Sequence, residues 1–299
     1  MSFLNPVNEP VLRFSSTDSS APQISYGTRT IGDVKAIIKA CLVTGYGSKD
    51  SAGWSITNEV GGVAEFTSPS AEMSNYSIGI DDSSTSTTTW FYRYNGTRVN
   101  PSSNALTKSH SNINLTSVKN GWQLLVTKQG FTFIEILDDT IALGLVTRVT
   151  YFGRIKSALK NTSGANIAFW SVGHSSSDPT NFWAASSSPN KYFITGDYTS
   201  ASIVVINSVR TTTYIDNDTT SAVELVSAWY LYNFANFMGE QPGILLTVSN
   251  INADRFKVEN IVSNGRPVLS VPVSYATGDL DRYNKYTRTL LIYTDFWGY

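Results

Sequence analysis

Residues Thr30–Trp54 read TIGDVKAIIKACLVTGYGSKDSAGW. Val34, Ile37, Ile38, Cys41 and Leu42 recur at i, i+3, i+4, i+7 and i+8, which lays five apolar side chains along one face of a helix over residues 33–44. Thr30, three residues before Asp33, makes a capping-box pattern, with a carboxylate where the helix dipole favours one. Gly45 supplies a left-handed stop and Gly47 keeps the chain turning. Lys35 and Lys39 sit four apart and read as the solvated flank. Burying the five apolar residues is worth at most roughly 1.5–3 kcal/mol each. Ile37, Cys41 and Trp54 are therefore expected in the core.

Around this helix the chain reads as strands. Trp54–Thr57 and Gly62–Phe66 flank a Gly61-Gly62 turn, and Tyr76–Ile80 alternates before stopping at Asp81-Asp82. Trp90–Tyr94 runs into Asn95-Gly96, a strong hairpin signal. Trp122–Val126 and Phe131–Ile136 form a hairpin around Lys128-Gln129-Gly130. Further strand-like runs include Ile167–Val172, Tyr192–Ile194, Ile244–Val248, Val268–Val273 and Thr289–Phe296. Leu225–Met238 suits either a strand pair or a short helix, since its periodicity favours neither. Close-spaced short strands predict a mainly β (α+β) fold, with β-sandwich or barrel-like lobes and one amphipathic helix. Two domains are expected, a helix-plus-sheet unit over residues 1–148 and a β-rich unit over 149–299.

Composition narrows the function classes. Of 299 residues, 41% are hydrophobic and 12% aromatic, which marks a folding chain. Only 15% are charged, so Ser, Thr and Asn form the polar surface, a texture of extracellular or particle-surface β proteins. The net charge of −1 is spread without blocks, which gives no pull toward nucleic acid or an anionic membrane. A single cysteine, Cys41, excludes an internal disulfide. The first residues, MSFLNPVNEP, lack the basic and apolar regions of a signal peptide, and no apolar run is long enough to span a bilayer as a helix. Synthesis in a host cytoplasm without an export signal is the expectation.

Catalytic and metal chemistry finds little to work with. His110, His174 and Cys41 make a poor zinc set, so no metal or cofactor is expected. His174-Ser175 lacks a nucleophile elbow and belongs to a polar loop ending in Asp178-Pro179. The carboxylate pairs Asp81-Asp82, Asp138-Asp139, Asp216/Asp218 and Asp279/Asp281 are what glycoside cleavage would use, but each sits where Asp favours a turn. Asp216-Asn217-Asp218 lacks the glycine and distal glutamate of a calcium loop. Among the aromatics, Trp183 beside Asn181 and Phe182 is the best candidate for an exposed ring that stacks on a sugar or a partner.

The order of features resembles a family of tailed-bacteriophage virion structural proteins. It is carried by Ser15–Asp18, Ala21-Pro22-Gln23-Ile24, the helix end Ala40–Gly47 and Ala52-Gly53-Trp54, then more loosely by Ile80–Asp82, Arg93-Tyr94, Lys108-Ser109, Gly121-Trp122 and Tyr151–Gly153. It covers about residues 11–155, with Lys128 and Arg154 standing where the pattern carries acids. The resemblance implies a tail or baseplate subunit without catalytic residues, located in the virion. Its partners would be other virion proteins and further copies in a symmetric ring or cluster. A receptor- or glycan-binding module of the virion is the alternative reading, with host surface glycan as partner. A polysaccharide-degrading tail enzyme is the third.

Overall fold

A computed structural model describes residues 7–24, 30–85, 87–94, 97–99, 107–109, 121–138, 146–157, 167–173, 191–194, 205–206, 225–227, 230–233, 236–247, 257–260, 265–272 and 289–299. The chain opens with β1 (Asn8–Pro10) and β2 (Leu12–Ser15), then helix α1 (Asp33–Lys39), continued by a π-helical turn at Ala40–Thr44. There follow β3 (Ser55–Val60), β4 (Val63–Thr67), β5 (Tyr76–Asp81), β6 (Thr87–Tyr94), β7 (Thr97–Val99) and β8 (Thr107–Ser109). Next come β9 (Gly121–Thr127), β10 (Gly130–Asp138), β11 (Val146–Arg154), β12 (Lys156–Ser157) and β13 (Ile167–Gly173). Then come β14 (Lys191–Ile194), β15 (Val205–Ile206), β16 (Leu225–Ser227), β17 (Tyr230–Asn233), β18 (Asn236–Glu240) and β19 (Ile244–Thr247). The last four are β20 (Val258–Glu259), β21 (Val268–Pro272), β22 (Thr289–Tyr293) and β23 (Phe296–Gly298). The fold is mainly β, built of antiparallel sheets with one short α-helix among the described residues. The ambiguous run Leu225–Met238 is strand throughout its described residues.

The helix forms on the expected face: Val34, Ile37, Ile38, Cys41 and Leu42 are all buried. Its start differs from the capping-box expectation. The Asp33 carboxylate does reach back to the N–H and hydroxyl of Thr30, at 2.7 and 2.5 Å. The first-turn donors, however, are served from another strand end: Asp82 Oδ2 accepts from Val34 N at 2.9 Å and Lys35 N at 3.3 Å. At the far end Gly45 N–H closes on Ala40 O, and Gly45 takes φ 73° with ψ 176° rather than a left-handed helical turn. That region is open only to glycine without strain. Lys35 and Lys39 are not simply solvated, because both converge on Glu59 of β3 at 3.1 and 2.8 Å.

A six-stranded sheet, ordered β14-β13-β11-β10-β9-β2, carries apolar side chains on both faces. Strand alternation sends Leu124, Val126, Phe131, Phe133, Phe152 and Phe169 to one side, where they meet α1, Trp54 and the inner face of the sheet β3-β4-β5-β6-β7. It sends Leu125, Ile134, Val149 and Tyr151 to the other, against Ile244, Leu269, Leu290 and Ile292 of the sheet β16-β19-β22-β21-β20 and against Trp297. Two cores thus share one sheet. Residue 148, where the sequence reading divides the chain, lies inside β11 and pairs with Glu135 of β10. A cut there would separate strands that are hydrogen-bonded to each other.

The β9–β10 hairpin turns at Lys128-Gln129, and Gly130 is already paired, with Thr127 on one side and Gly153 on the other. Tyr94 pairs with Thr97, so strands bracket Asn95-Gly96 as the hairpin signal requires. β1 and β23 then tie the two described ends together, Asn8 opposite Gly298. Val7 and Tyr299 exchange backbone hydrogen bonds at 3.2 and 3.1 Å, and the Tyr299 phenol reaches Thr127 Oγ1 at 2.8 Å.

Candidate functional site

The residues nominated for partner or sugar contact, Asn181, Phe182 and Trp183, lie outside the described residues, as do His110, His174, Asp178, Asp216, Asp218, Asp279 and Asp281. Of the carboxylate pairs, Asp81 and Asp82 are described with their side chains, and they do different jobs. Asp81 Oδ1 accepts from Ser83 N at 3.1 Å, an ordinary turn contact. Asp82 is fully buried and takes Thr88 Oγ1 at 3.0 Å in addition to the helix N–H groups. With one acid fixed as a helix cap, the pair is not arranged for acid–base work. Among the described residues no group of three His, Cys, Asp or Glu could hold a metal ion, and no helix is long and apolar enough to cross a membrane.

A polar cluster joins Asp18 and Tyr46, which carry part of the resemblance, to Lys49. Asp18 Oδ2 accepts from Tyr46 OH, Lys49 Nζ and Ser15 N, each at 2.7 Å. Tyr46 reaches Asp18 because the chain turns tightly at Gly45 and Gly47, both at positive φ. A Cβ on Gly47 would stand 2.8 Å from Ser19 O, so only glycine lets this turn lie against the Asp18 loop. The Tyr46 ring meets Phe14 and Trp122, with centroids 5.8 and 6.3 Å away, and Trp122 Nε1 donates to Pro22 O at 2.9 Å. Lys49 Nζ lies 5.7 Å from the Phe14 ring centre. Trp54, buried, closes the block by donating to Thr127 O at 3.2 Å.

Electrostatics here favours fixed charges over reactivity. Burial pushes the Asp18 carboxyl up, but Lys49, Tyr46 and the Ser15 N–H together outweigh it and hold the group below its ordinary 3.8. Burial first, then the hydrogen bond to Asp18, raises the Tyr46 phenol. Burial likewise raises the Cys41 thiol, so it stays protonated and unreactive. None of these groups is poised to exchange protons near neutrality. Arg154, standing where the resemblance implies an acid, donates to Gln129 Oε1 at 2.8 Å and pairs with Glu72 at 3.5 Å.

Outside the cores, Ile31 and Val60 are the most exposed large apolar side chains among the described residues, at 59% and 72%. Both flank the same anchor. Gly32 N donates to Asp82 O and Asp82 N to Gly62 O, while Lys35 Nζ is bonded to Gly61 O. The sequence marked neither residue, because an isolated Ile or Val in a strand-rich chain gives no sign of facing outward.

The chain matches no protein-family model, no curated protein and no solved structure.

Proposed function

We propose that this chain is a structural subunit of a bacteriophage tail or baseplate, working by assembly with further copies of itself and with other virion proteins. The observation that carries the reading is that Asp18, Pro22, Tyr46, Gly47 and Trp54, the residues behind the resemblance, belong to one connected framework rather than to a reaction centre. Such a framework holds a surface in place. A second anchor, at Asp82, presents Ile31 and Val60 on either side of it, and a neighbouring copy in a symmetric ring would cover them.

Purified chain run on size exclusion with light scattering tests this. Wild type is expected as a closed oligomer, and the double variant Ile31→Lys, Val60→Lys as a monomer that keeps the wild-type circular dichroism spectrum and melts lower only by the stability that association supplies. A wild type that stays monomeric at high concentration, and is missing from purified particles, would contradict the reading.

A further inference from the structure

β2 ends the central sheet, and an edge strand exposes unpaired donors and acceptors that can recruit another chain. Ser16 N donates to Trp122 O at 2.9 Å, so by strand alternation Leu12 and Phe14 face β9 while Val11, Arg13 and Ser15 direct their backbone groups outward. Four of those outward groups are occupied. Ser15 N is bonded to Asp18 Oδ2 at 2.7 Å and to Tyr46 Oη at 3.3 Å, and Ser15 O accepts from Asp18 N at 3.0 Å. Lys49 Nζ donates to Arg13 O at 2.9 Å, and Val11 N donates to Asp295 O at 2.9 Å. The sheet β3-β4-β5-β6-β7 protects its β3 edge differently, with a bulge between Ile56 and Asn58 and the charged Glu59.

We infer that Asp18, Tyr46 and Lys49 form an edge lock, which occupies Arg13 O and both outward backbone groups of Ser15 and so prevents a second copy from adding its β2 strand to the central sheet. The lock stands on the geometry of β2 and not on the proposed role in a virion. Its charge balance keeps it shut over a wide pH range. Asp18 is faced by Lys49, Tyr46, Arg13 and the Cys41 thiol. A carboxyl held below its unfolded value contributes stability fully present above about pH 4, which is lost only as pH falls through the lowered folded value. The lock therefore holds at neutral and mildly acidic pH and opens in strong acid.

The test uses the full chain at pH 7 with Asp18→Asn, a near-isosteric change that removes the charge holding Lys49. Hydrogen exchange at the Ser15 amide is expected to quicken at least tenfold. Sedimentation velocity is expected to show concentration-dependent association beyond wild type. Adding Arg13→Pro, which removes an outward N–H as edge strands tolerate, should abolish that extra association. Exposure of Ser15 without association, association that Arg13→Pro leaves intact, or no change in either readout would each overturn the lock. Should Asp18→Asn fail to fold, Tyr46→Phe keeps the rings on Phe14 and Trp122, removes one hydroxyl, and is judged by the same outcomes in smaller measure.

Discussion

The Asp82 carboxylate accepts the backbone N–H of Val34 at 2.9 Å, a helix cap supplied from 48 residues further along the chain. It is buried and shares its second oxygen with Thr88. The helix that carries the first core is thus pinned at its start to the end of β5 rather than by its own flanking residues. Replacing Asp82 with Ala takes the acceptor from the Val34 and Lys35 N–H groups, the first of them buried. The expected cost is about 2–3 kcal/mol. Asp33→Ala, at the exposed contact with Thr30, should cost less than about 1 kcal/mol. Urea midpoints of the two variants check the ranking, and equal losses would return the capping role to Asp33.

Ile37 is completely buried under the central sheet. Ile37→Asp buries a charge that has no partner there, so the variant should be insoluble or unfolded by circular dichroism. Ile37→Val only thins the packing, at about 0.5–1.5 kcal/mol. An Asp variant that assembles with an unchanged melting temperature would show that this helix face does not support the core.

Gly130 and Gly153 pair across β10 and β11 so closely that a Cβ on Gly153 would stand 2.5 Å from the Gly130 Cα. Gly153→Ala is expected to destabilise by about 1–3 kcal/mol through overpacking. Gly121→Ala is the control, since a Cβ there meets Ser16 and Ile136 at ordinary contact distances of 3.5 and 3.6 Å. It should be neutral or stabilising by about 0.4–1 kcal/mol. Thermal melts of the pair distinguish contact at one site from a general intolerance of alanine.

The two phenols behind the terminal strand pair predict an alkaline limit. Burial raises both Tyr151 and Tyr299 above the ordinary tyrosine value of 10.0. A raised group contributes stability that is fully present below its unfolded value and is lost as pH climbs from there through the folded value. Melting temperature should therefore fall above about pH 10. Tyr299→Phe removes the bond to Thr127, at about 1 kcal/mol near neutrality, and should make the alkaline fall shallower. A fall as steep as wild type would place the titrating group elsewhere.

What could be read from the sequence was what is local. The Val34–Leu42 face and the burial of Trp54 follow from spacing and residue type, and the turn residues Lys128-Gln129-Gly130 between two apolar runs marked Trp122–Val126 and Phe131–Ile136 as a hairpin. Whether Leu225–Met238 was strand or helix depended on sheet neighbours, which periodicity does not carry. Asp82 looked like a turn carboxylate because its role lies across the fold, and no spacing rule links residue 82 to residue 34. Asp18 and Tyr46 were visible only as parts of a resemblance in order, and Lys49 was not marked at all. The chemistry of the cluster appears when β2 reaches the sheet edge and the Gly45–Gly47 turn swings Tyr46 onto Asp18.

Placing the chain in a reconstruction of an intact phage particle tests the central claim most directly. Several symmetry-related copies are expected around the tail axis, with Ile31 and Val60 covered by a neighbour and no second copy's strand added to the β2 edge. Particles that lack the chain, or hold it as a lone copy with Ile31 and Val60 in solvent, would contradict that claim.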